Sequence, residues 1–395
     1  MIETNSSAFW QATLALCLGS FMIFANVYVT QPLLPMLAAH FGISALQAGW
    51  SFSITTLMLG VSLLFYGPLS DALGRRVLII SSMVGVMLCT FALSQVDNFT
   101  MLLALRALQG LCLGGLPAIA IAYLGDEFSR KAVAVAVGFY IAANTLGGIG
   151  GRLIGGFVSD SVWVKAFGLM AVINCFITIA VARLLPASQQ FKAQALRPHQ
   201  MLNDIQHHLR NPNLLIAYVM GGANFLIFIT QYSYITFVLA KSPYNLPPRY
   251  IGLLFLTYLS GTLASLLSGR ITQSISQPLA ILLGISCFML GSMTTLASSL
   301  TFIILGFLIN SFGFFLAHSV LSSWVSRHAL KARASASSLY LVFYYFGASL
   351  GGFYLEPFWH WLAWQGVIIG SLGLLSLSFI GGVVLYSKSL IKSYK

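Results

Sequence analysis

The chain has 395 residues, of which 58% are hydrophobic and only 7% charged, with a formal net charge of +12 and a mean hydropathy of +0.88. A soluble globule carries about a quarter charged residues, so this composition excludes one and defines a polytopic membrane protein. The excess of Lys and Arg reads as membrane topology and contact with the lipid bilayer's anionic headgroups, which sets a nucleic-acid-binding role aside.

A hydrocarbon core roughly 30 Å thick is crossed by about 20 apolar residues in a helix. Twelve stretches meet that length: 10–38, 47–69, 77–95, 99–124, 132–158, 163–185, 212–240, 249–270, 278–298, 300–325, 333–357 and 361–387. The first has no Lys or Arg before it and is too long for a signal-peptide core, so it is kept as a transmembrane helix with nothing cleaved. Arg75, Arg76, Arg130, Lys131, Arg183, Lys192, Arg197, Arg210, Arg270, Arg327, Lys331, Arg333, Lys388, Lys392 and Lys395 fall on one side of this arrangement, and Lys165, Arg249 and Lys241 on the other. The positive-inside rule makes the first side, and with it both termini, cytoplasmic.

Between the second and third stretches runs Gly67-Pro68-Leu69-Ser70-Asp71-Ala72-Leu73-Gly74-Arg75-Arg76. An acid, turn residues and paired arginines between apolar runs read as a loop that acts as a charged latch, with Asp71 toward a helix N-terminus and Arg75 and Arg76 at the cytoplasmic surface. The plain alternative is a loop that needs turn residues and inside-positive charge. This segment resembles the signature loop of the major facilitator superfamily, Gly-x-Leu-x-Asp-x-x-Gly-[Arg/Lys]-[Arg/Lys]. The resemblance implies that Asp71 meets the start of the eleventh helix near 332–335, and that Arg75 meets an acid closing the fourth, Asp126 or Glu127.

In the fourth helix, Leu102-x-x-x-Arg106-x-x-Gln109-Gly110 matches a superfamily motif. At 1.5 Å per residue Arg106 lies about 10 Å inside the helix's outer start. An intramembrane charge is a coupling candidate by default, against a structural tie to backbone carbonyls. The fifth helix carries Gly138, Gly147, Gly151, Gly155 and Gly156 at the spacing of an antiporter motif, which these glycines resemble; Arg152 stands where that motif has proline. The glycines are helix-packing candidates. Arg152, about 30 Å up the helix, either snorkels to the outer interface or faces a cavity as a second coupling candidate.

The long polar stretch 186–211 divides an N-terminal six-helix bundle, 1–185, from a C-terminal one, 212–395. A shift of 200 residues aligns Thr30-Gln31 with Thr230-Gln231, Lys131-Ala132 with Lys331-Ala332, and Gly147 and Gly151 with Gly347 and Gly351. Such internal symmetry is expected of two bundles that rock about a midplane site. The second copy of the latch is degenerate: Gly269-Arg270 opens it, but Gln273 stands where an acid would be.

Helix counting places Asn26, Asn144, Asn224, Asn310 and Tyr344 near the midplane, with Gln31 and Gln231 nearer the outer mouth. Together with Tyr140 and Tyr340 they are substrate-cavity candidates, the alternative being hydrogen bonds between helices. His318 in the tenth helix is a coupling candidate because its charge changes near neutral pH, against a hydrogen-bonded core role. Glu356, at the outer end of the eleventh, is a coupling candidate against a solvated interfacial carboxylate.

The five cysteines are unclustered and lie in helices, so neither disulfides nor a metal site is expected. Gly347-Ala348-Ser349-Leu350-Gly351 fits a hydrolase elbow in letters only, since it lies inside a membrane helix. No Walker loop or zinc-protease pattern appears, so no cofactor and no enzyme activity are expected, and transport must run on a gradient. Gly313-Phe314-Phe315-Leu316-Ala317-His318-Ser319, Ala336-Ser337-Ser338-Leu339-Tyr340-Leu341 and Phe358-Trp359-His360 resemble the YnfM-like inner-membrane transporters of the drug:proton antiporter branch. That resemblance implies an all-α major facilitator fold, a bacterial inner-membrane location, a monomer, and proton-linked efflux of a small amphipathic solute. Proton-coupled import or facilitation of an organic anion, sugar or siderophore-type metabolite is the mechanistic alternative, and a transporter-like sensor the alternative of another class. With no acid in the first helix and Arg106 within a span, neutral, zwitterionic or anionic solutes fit better than lipophilic cations.

Overall fold

The computed structural model describes residues 1–4, 6–158, 162–189, 191, 198–329 and 331–393. Lys192, Arg197 and Lys395 lie outside the described residues, as do the side chains of Arg130, Arg333 and Lys392. Almost every described residue is helical, and the one strand-like contact among them is a bridge between Ile2 and Phe128.

The spanning helices are α1, Ser7–Tyr28 with its continuation to Phe41; α2, Ala45–Leu73; α3, Arg75–Leu93; α4, Phe99–Glu127; α5, Lys131–Val158; and α6, Val164–Leu184. They continue as α7, Pro212–Leu239; α8, Pro248–Ser274; α9, Gln277–Thr294; and α10, Leu300–His328. The last helical stretch, Arg333–Ser393, has 61 residues and non-helical backbone at Leu362 and Ala363. At 1.5 Å per residue it is about three hydrocarbon cores long, so the break divides it into two spans, α11 (333–361) and α12 (364–393). Eleven stretches of membrane length, one of them double, make twelve spans. Large apolar side chains such as Phe65, Phe176, Leu266 and Leu377 point outward, as a lipid-facing surface requires.

Local chemistry sets the ends. Ser6 and Asn98 accept the backbone N–H groups of Phe9 and Met101 at the starts of α1 and α4. Ser44 and Gln47 form a reciprocal capping box on α2, satisfying donors that a helix start leaves open. Asn211 caps α7, whose first residue is Pro212, a position where the missing N–H costs nothing.

The segment 67–76 departs from the expected loop. Helix α2 runs through Pro68 to Leu73, Gly74 alone is non-helical at φ +106°, and α3 begins at Arg75. A side chain at Gly74 would be strained at that φ, so one residue makes the turn.

The chain clusters into two compact units, 1–197 with 246–253, and 198–245 with 254–395. The short helix Pro198–Leu209, inside the polar stretch, belongs to the second. In the first unit α5 lies on α1: a Cβ added at Gly147, Gly151 or Gly155 would collide with the carbonyls of Phe21, Ala25 and Val29 in turn. In the second, Gly347 and Gly351 of α11 meet the carbonyls of Gly222 and Leu226 of α7. Steps of four residues on both partners mark parallel helices whose backbones touch.

Candidate functional site

At the Gly74 end of the first unit, Arg75 lies between two acids. Its guanidinium is 2.5 Å from Asp71 Oδ1 and 2.9 Å from Asp126 Oδ2, and it also donates to Ser70 Oγ at 2.7 Å. The Arg75 side chain is 12% exposed against 41% for Asp71 and 35% for Asp126, so the cation is held inside while its acids remain wet. Arg76 turns elsewhere, donating to the carbonyls of Ala182 and Leu185 at 2.7 and 2.8 Å. Those carbonyls close α6, where a helix lacks internal donors and a cation is favoured. The pair expected together at the surface is therefore divided between two tasks. Glu127 is buried, and its backbone carbonyl accepts from Ile2 N–H at 2.7 Å. Gly67 lies in α2 with open space around it. In the second unit Arg270 and Gln273 are exposed on a helix that runs on to Ser274, and no ion pair joins Arg270 among the described residues.

Deeper in the first unit, Arg106 is fully buried. It donates to the carbonyls of Ser51, Asn26 and Val27 at 3.1, 2.9 and 3.1 Å, to Thr30 Oγ1 at 3.5 Å, and to Gln109 Oε1. Asn26 and Val27 belong to the last turn of α1 before its helical ladder stops at Tyr28, where carbonyls need outside donors. Arg106 supplies them. Asn26 accepts from Thr90 Oγ1 at 2.9 Å, from Gln109 at 3.2 Å and from Asn174 at 3.1 Å. It donates to Met22 O and to Asn174 Oδ1 at 2.7 and 2.9 Å. The network joins α1, α2, α3, α4 and α6, and each of these side chains is fully buried. Asn26 thus ties helices together and does not face a cleft.

Arg152 is also fully buried, which corrects the snorkelling expectation. Its Nε donates to Gln31 Oε1 at 2.7 Å, its Nη1 to Gly148 O at 2.9 Å, and its guanidinium lies 3.9 Å from the centre of the Tyr28 ring. Gln31, too, is inside. Asn144 is hydrogen-bonded by Ser20 Oγ of α1, one turn beyond the buried Tyr140.

The second unit has its own polar centre. Asn310 donates to Gln231 Oε1 at 2.7 Å and to Ser292 Oγ at 3.1 Å, and Gln231 donates to Ser292 Oγ at 3.0 Å. Tyr232 OH meets Thr257 Oγ1 at 2.5 Å and Ser311 Oγ at 2.7 Å. These bonds join α7 to α8, α9 and α10. Next to them is an aromatic stack: Phe228 on Phe314 at 3.9 Å and Phe225 on Tyr344 at 3.6 Å between ring centres. Half-buried His318 borders it, 4.6 Å from Tyr344, with Nδ1 2.9 Å from Tyr340 OH. Asn224, 2% exposed, has neither amide atom hydrogen-bonded.

At the far end of α11, the Glu356 side chain is 13% exposed, not solvated as the interfacial reading has it. Tyr234 OH donates to Oε2, and His360 Nε2 is 2.9 Å from Oε1.

Residues 16–352 match the Major Facilitator Superfamily. The chain belongs to that superfamily. It is 36% identical over 370 residues to the inner membrane transport protein YnfM of Escherichia coli K12, covering 93% of this chain and 88% of that one. Among solved structures it resembles the nucleoside transporter NupG, with a TM-score of 0.76 at 15% identity over 95% of this chain and all of that one. The human organic anion transporter MFSD10 follows at a TM-score of 0.69 and 17% identity, over 95% and 99% of the two chains. These structural likenesses carry the fold. The chain is a multi-pass membrane transporter of small molecules and not an enzyme.

Several residues central to this facilitator's interior escape sequence reasoning. Asn174 satisfies the same criterion as Asn26, a lone amide at mid-span, and is its reciprocal partner. Thr90, Ser292, Thr257 and Ser311 give no comparable signal, because a hydroxyl in an apolar helix usually bonds its own preceding turn. Tyr234 becomes visible only when α7 and α11 are laid side by side, whereas His360 stands four residues after Glu356 on the same helix.

Proposed function

We propose that this facilitator exports a small amphipathic solute by alternating access in exchange for protons, with neutral, zwitterionic or anionic solutes preferred. The observation that carries the reading is the second unit's aromatic stack with His318 at its edge and Asn224 unspent beside it in sequence. Stacked rings offer a flat apolar surface. A buried amide without partners is costly unless something supplies them, and a solute carbonyl, hydroxyl or carboxylate can do so.

Charge supports the preference. Arg106 is buried with every hydrogen bond directed to a neutral oxygen, so its positive charge is not neutralised by an acid bonded to it. Away from the Asp71 end, Glu356 is the one carboxylate within a spanning helix among the described residues. Efflux draws support from the α5 glycine stripe, which resembles the antiporter pattern and packs on the α1 backbone even with Arg152 in the proline position.

Proteoliposomes loaded at acid pH test the reading. An acid lumen should drive uptake of anilinonaphthalene sulfonate, an amphipathic aromatic anion, and leave the lipophilic cation ethidium outside, and a protonophore should abolish the uptake. Ethidium uptake with the sulfonate ignored rejects the charge preference, and uptake indifferent to the protonophore rejects proton linkage. Uptake driven instead by an acid exterior would select proton-coupled import of an organic anion, the reading that Arg106 favours second.

A further inference from the structure

We infer that Glu356 is the group that binds and releases the coupled proton, held by Tyr234 and His360 in a site that is satisfied in both of its protonation states. The inference rests on the proton-linked reading above and assigns it a residue.

Glu356 is the one acid in the spans of the second unit among the described residues, and both of its oxygens are engaged. Tyr234 OH donates to Oε2 from α7, and His360 Nε2, one turn along α11, is 2.9 Å from Oε1. Tyr234 is buried, whereas the His360 side chain is 71% exposed. One side of the carboxylate is therefore sealed by a phenol, and the other reaches water through an imidazole. Chains of carboxylate and histidine are how membrane proteins commonly conduct protons.

A static ion pair would leave a partner stranded when the charge is lost. Here it does not. Tyr234 OH also lies 3.5 Å from the carbonyl of Gly352, one turn before Glu356. While Glu356 is ionised, the hydroxyl donates to Oε2. When Glu356 is protonated, the hydroxyl can rotate to donate to Gly352 O and accept from the acid, because a phenolic O–H is both donor and acceptor. At the other oxygen, His360 takes a proton from water at Nδ1 and passes the Nε2 proton to Oε1. That leaves a neutral imidazole and a neutral carboxylic acid, with one proton moved from water to Glu356.

Among the described residues no carboxylate or histidine besides Glu356 and His360 lies in 229–253, 288–310 or 350–375. From this half of α7 the ionisable groups are Tyr234, Tyr232, whose hydroxyl is engaged by Thr257 and Ser311, and, past the helix end, the exposed Lys241. The facing ends of α9, α10 and α12 carry no ionisable side chain over 288–298, 299–310 and 364–375. Trp359, its ring 5.1 Å from Tyr234, covers the pair from the side.

Infrared difference spectra of reconstituted protein after a pH step provide the test. The wild type should gain a protonated-carboxyl band on acidification. Glu356→Gln, which preserves the side-chain shape and both hydrogen-bond partners, should lose that band, and Asp97→Asn in an exposed turn should keep it. Glu356→Gln should also lose pH-driven accumulation of anilinonaphthalene sulfonate while still exchanging it across the membrane at equal pH. A band that survives Glu356→Gln, or wild-type accumulation that is protonophore-sensitive and unchanged in the variant, overturns the assignment and leaves proton-linked transport standing. Accumulation insensitive to protonophore in the wild type overturns proton-linked transport instead, whatever the band does. If Glu356→Gln fails to reach the membrane, Glu356→Asp decides: its shorter side chain must shift the band, and an unshifted band rejects the assignment.

Discussion

The polar centres of the two units occupy corresponding helices but are built from different chemistry. In the first, Arg106 and four buried amides and hydroxyls (Asn26, Thr90, Gln109 and Asn174) draw on α1, α3, α4 and α6, with α2 contributing a carbonyl. In the second, Gln231, Ser292 and Asn310 link α7, α9 and α10, and Tyr232 adds α8 through Thr257. Both centres tie the first, third and fourth helices of their unit, at different positions and with a charge only in the first. A permanent cation serves the broken end of α1 where the second unit uses neutral groups alone. The first centre should therefore tolerate substitution far less.

Arg106→Met gives the sharpest test. It strands the Asn26 and Val27 carbonyls and the Gln109 amide oxygen, and each buried acceptor left unpaired costs about 1–3 kcal/mol, for a total near 4 kcal/mol. Purified variant should unfold at a markedly lower temperature in micelles or fail to accumulate. Arg106→Lys should recover less than half, since one ammonium cannot reach carbonyls on two helices. Tyr232→Phe should cost about 1 kcal/mol, because Thr257 and Ser311 hydroxyls can turn to other acceptors. Equal losses at Arg106 and Tyr232 would end the comparison.

The amides come next. Asn26→Leu breaks bonds to three helices and should cost about 2 kcal/mol, whereas Asn310→Leu, whose Oδ1 is already without a partner, should cost about 0.6 kcal/mol, the average for a side-chain hydrogen bond between membrane helices. Thermal unfolding of the two variants side by side reads the ratio. Where the units do match, so should the variants. Gly151→Ala and Gly347→Ala each push a methyl group into a carbonyl of the facing helix, and each should cost about 2 kcal/mol.

The contrast between the units also explains what sequence could and could not say. Span number and rough ends follow from apolar length, because a membrane helix must satisfy its backbone within itself. The Gly147–Gly151 and Gly347–Gly351 pairs announce themselves by spacing, since only glycine permits that approach. Arg106 is visible as a cost, but its role depends on where α1 breaks, which Pro32 and Pro35 hint at without fixing which carbonyls are freed. Arg152 is open to two readings in the sequence because helix rise gives depth and not direction; in the structure it is buried against Tyr28 and Gln31. The turn at Gly74 reads as a loop because Pro68 sits in it, yet Pro68 is accommodated inside α2 and only Gly74 leaves the helix. Glu356 has His360 at i+4 in the sequence, but its second partner, Tyr234, needs α7 beside it.

The smallest expected effect lies at the Arg75 pairs, and there the units differ in the opposite sense, by the presence or absence of a surface device. Asp71 and Asp126 are both more than a third exposed, and exposed ion pairs contribute about 0–1 kcal/mol, less in salt. Asp126→Asn should therefore lower stability by about 0.5 kcal/mol at low ionic strength, and the difference from wild type should vanish at high salt. Arg270→Gln, at the second unit's counterpart, should change nothing at either ionic strength. Solute flux is the more telling readout: a device that is cheap to break thermodynamically but sits where three helices end can bias which conformation is populated without holding the fold together. Asp126→Asn that lowers flux several-fold at unchanged stability would assign the Arg75 cluster to the transport cycle, and flux unchanged in both Asp126→Asn and Asp71→Asn would reduce it to a solvated helix end.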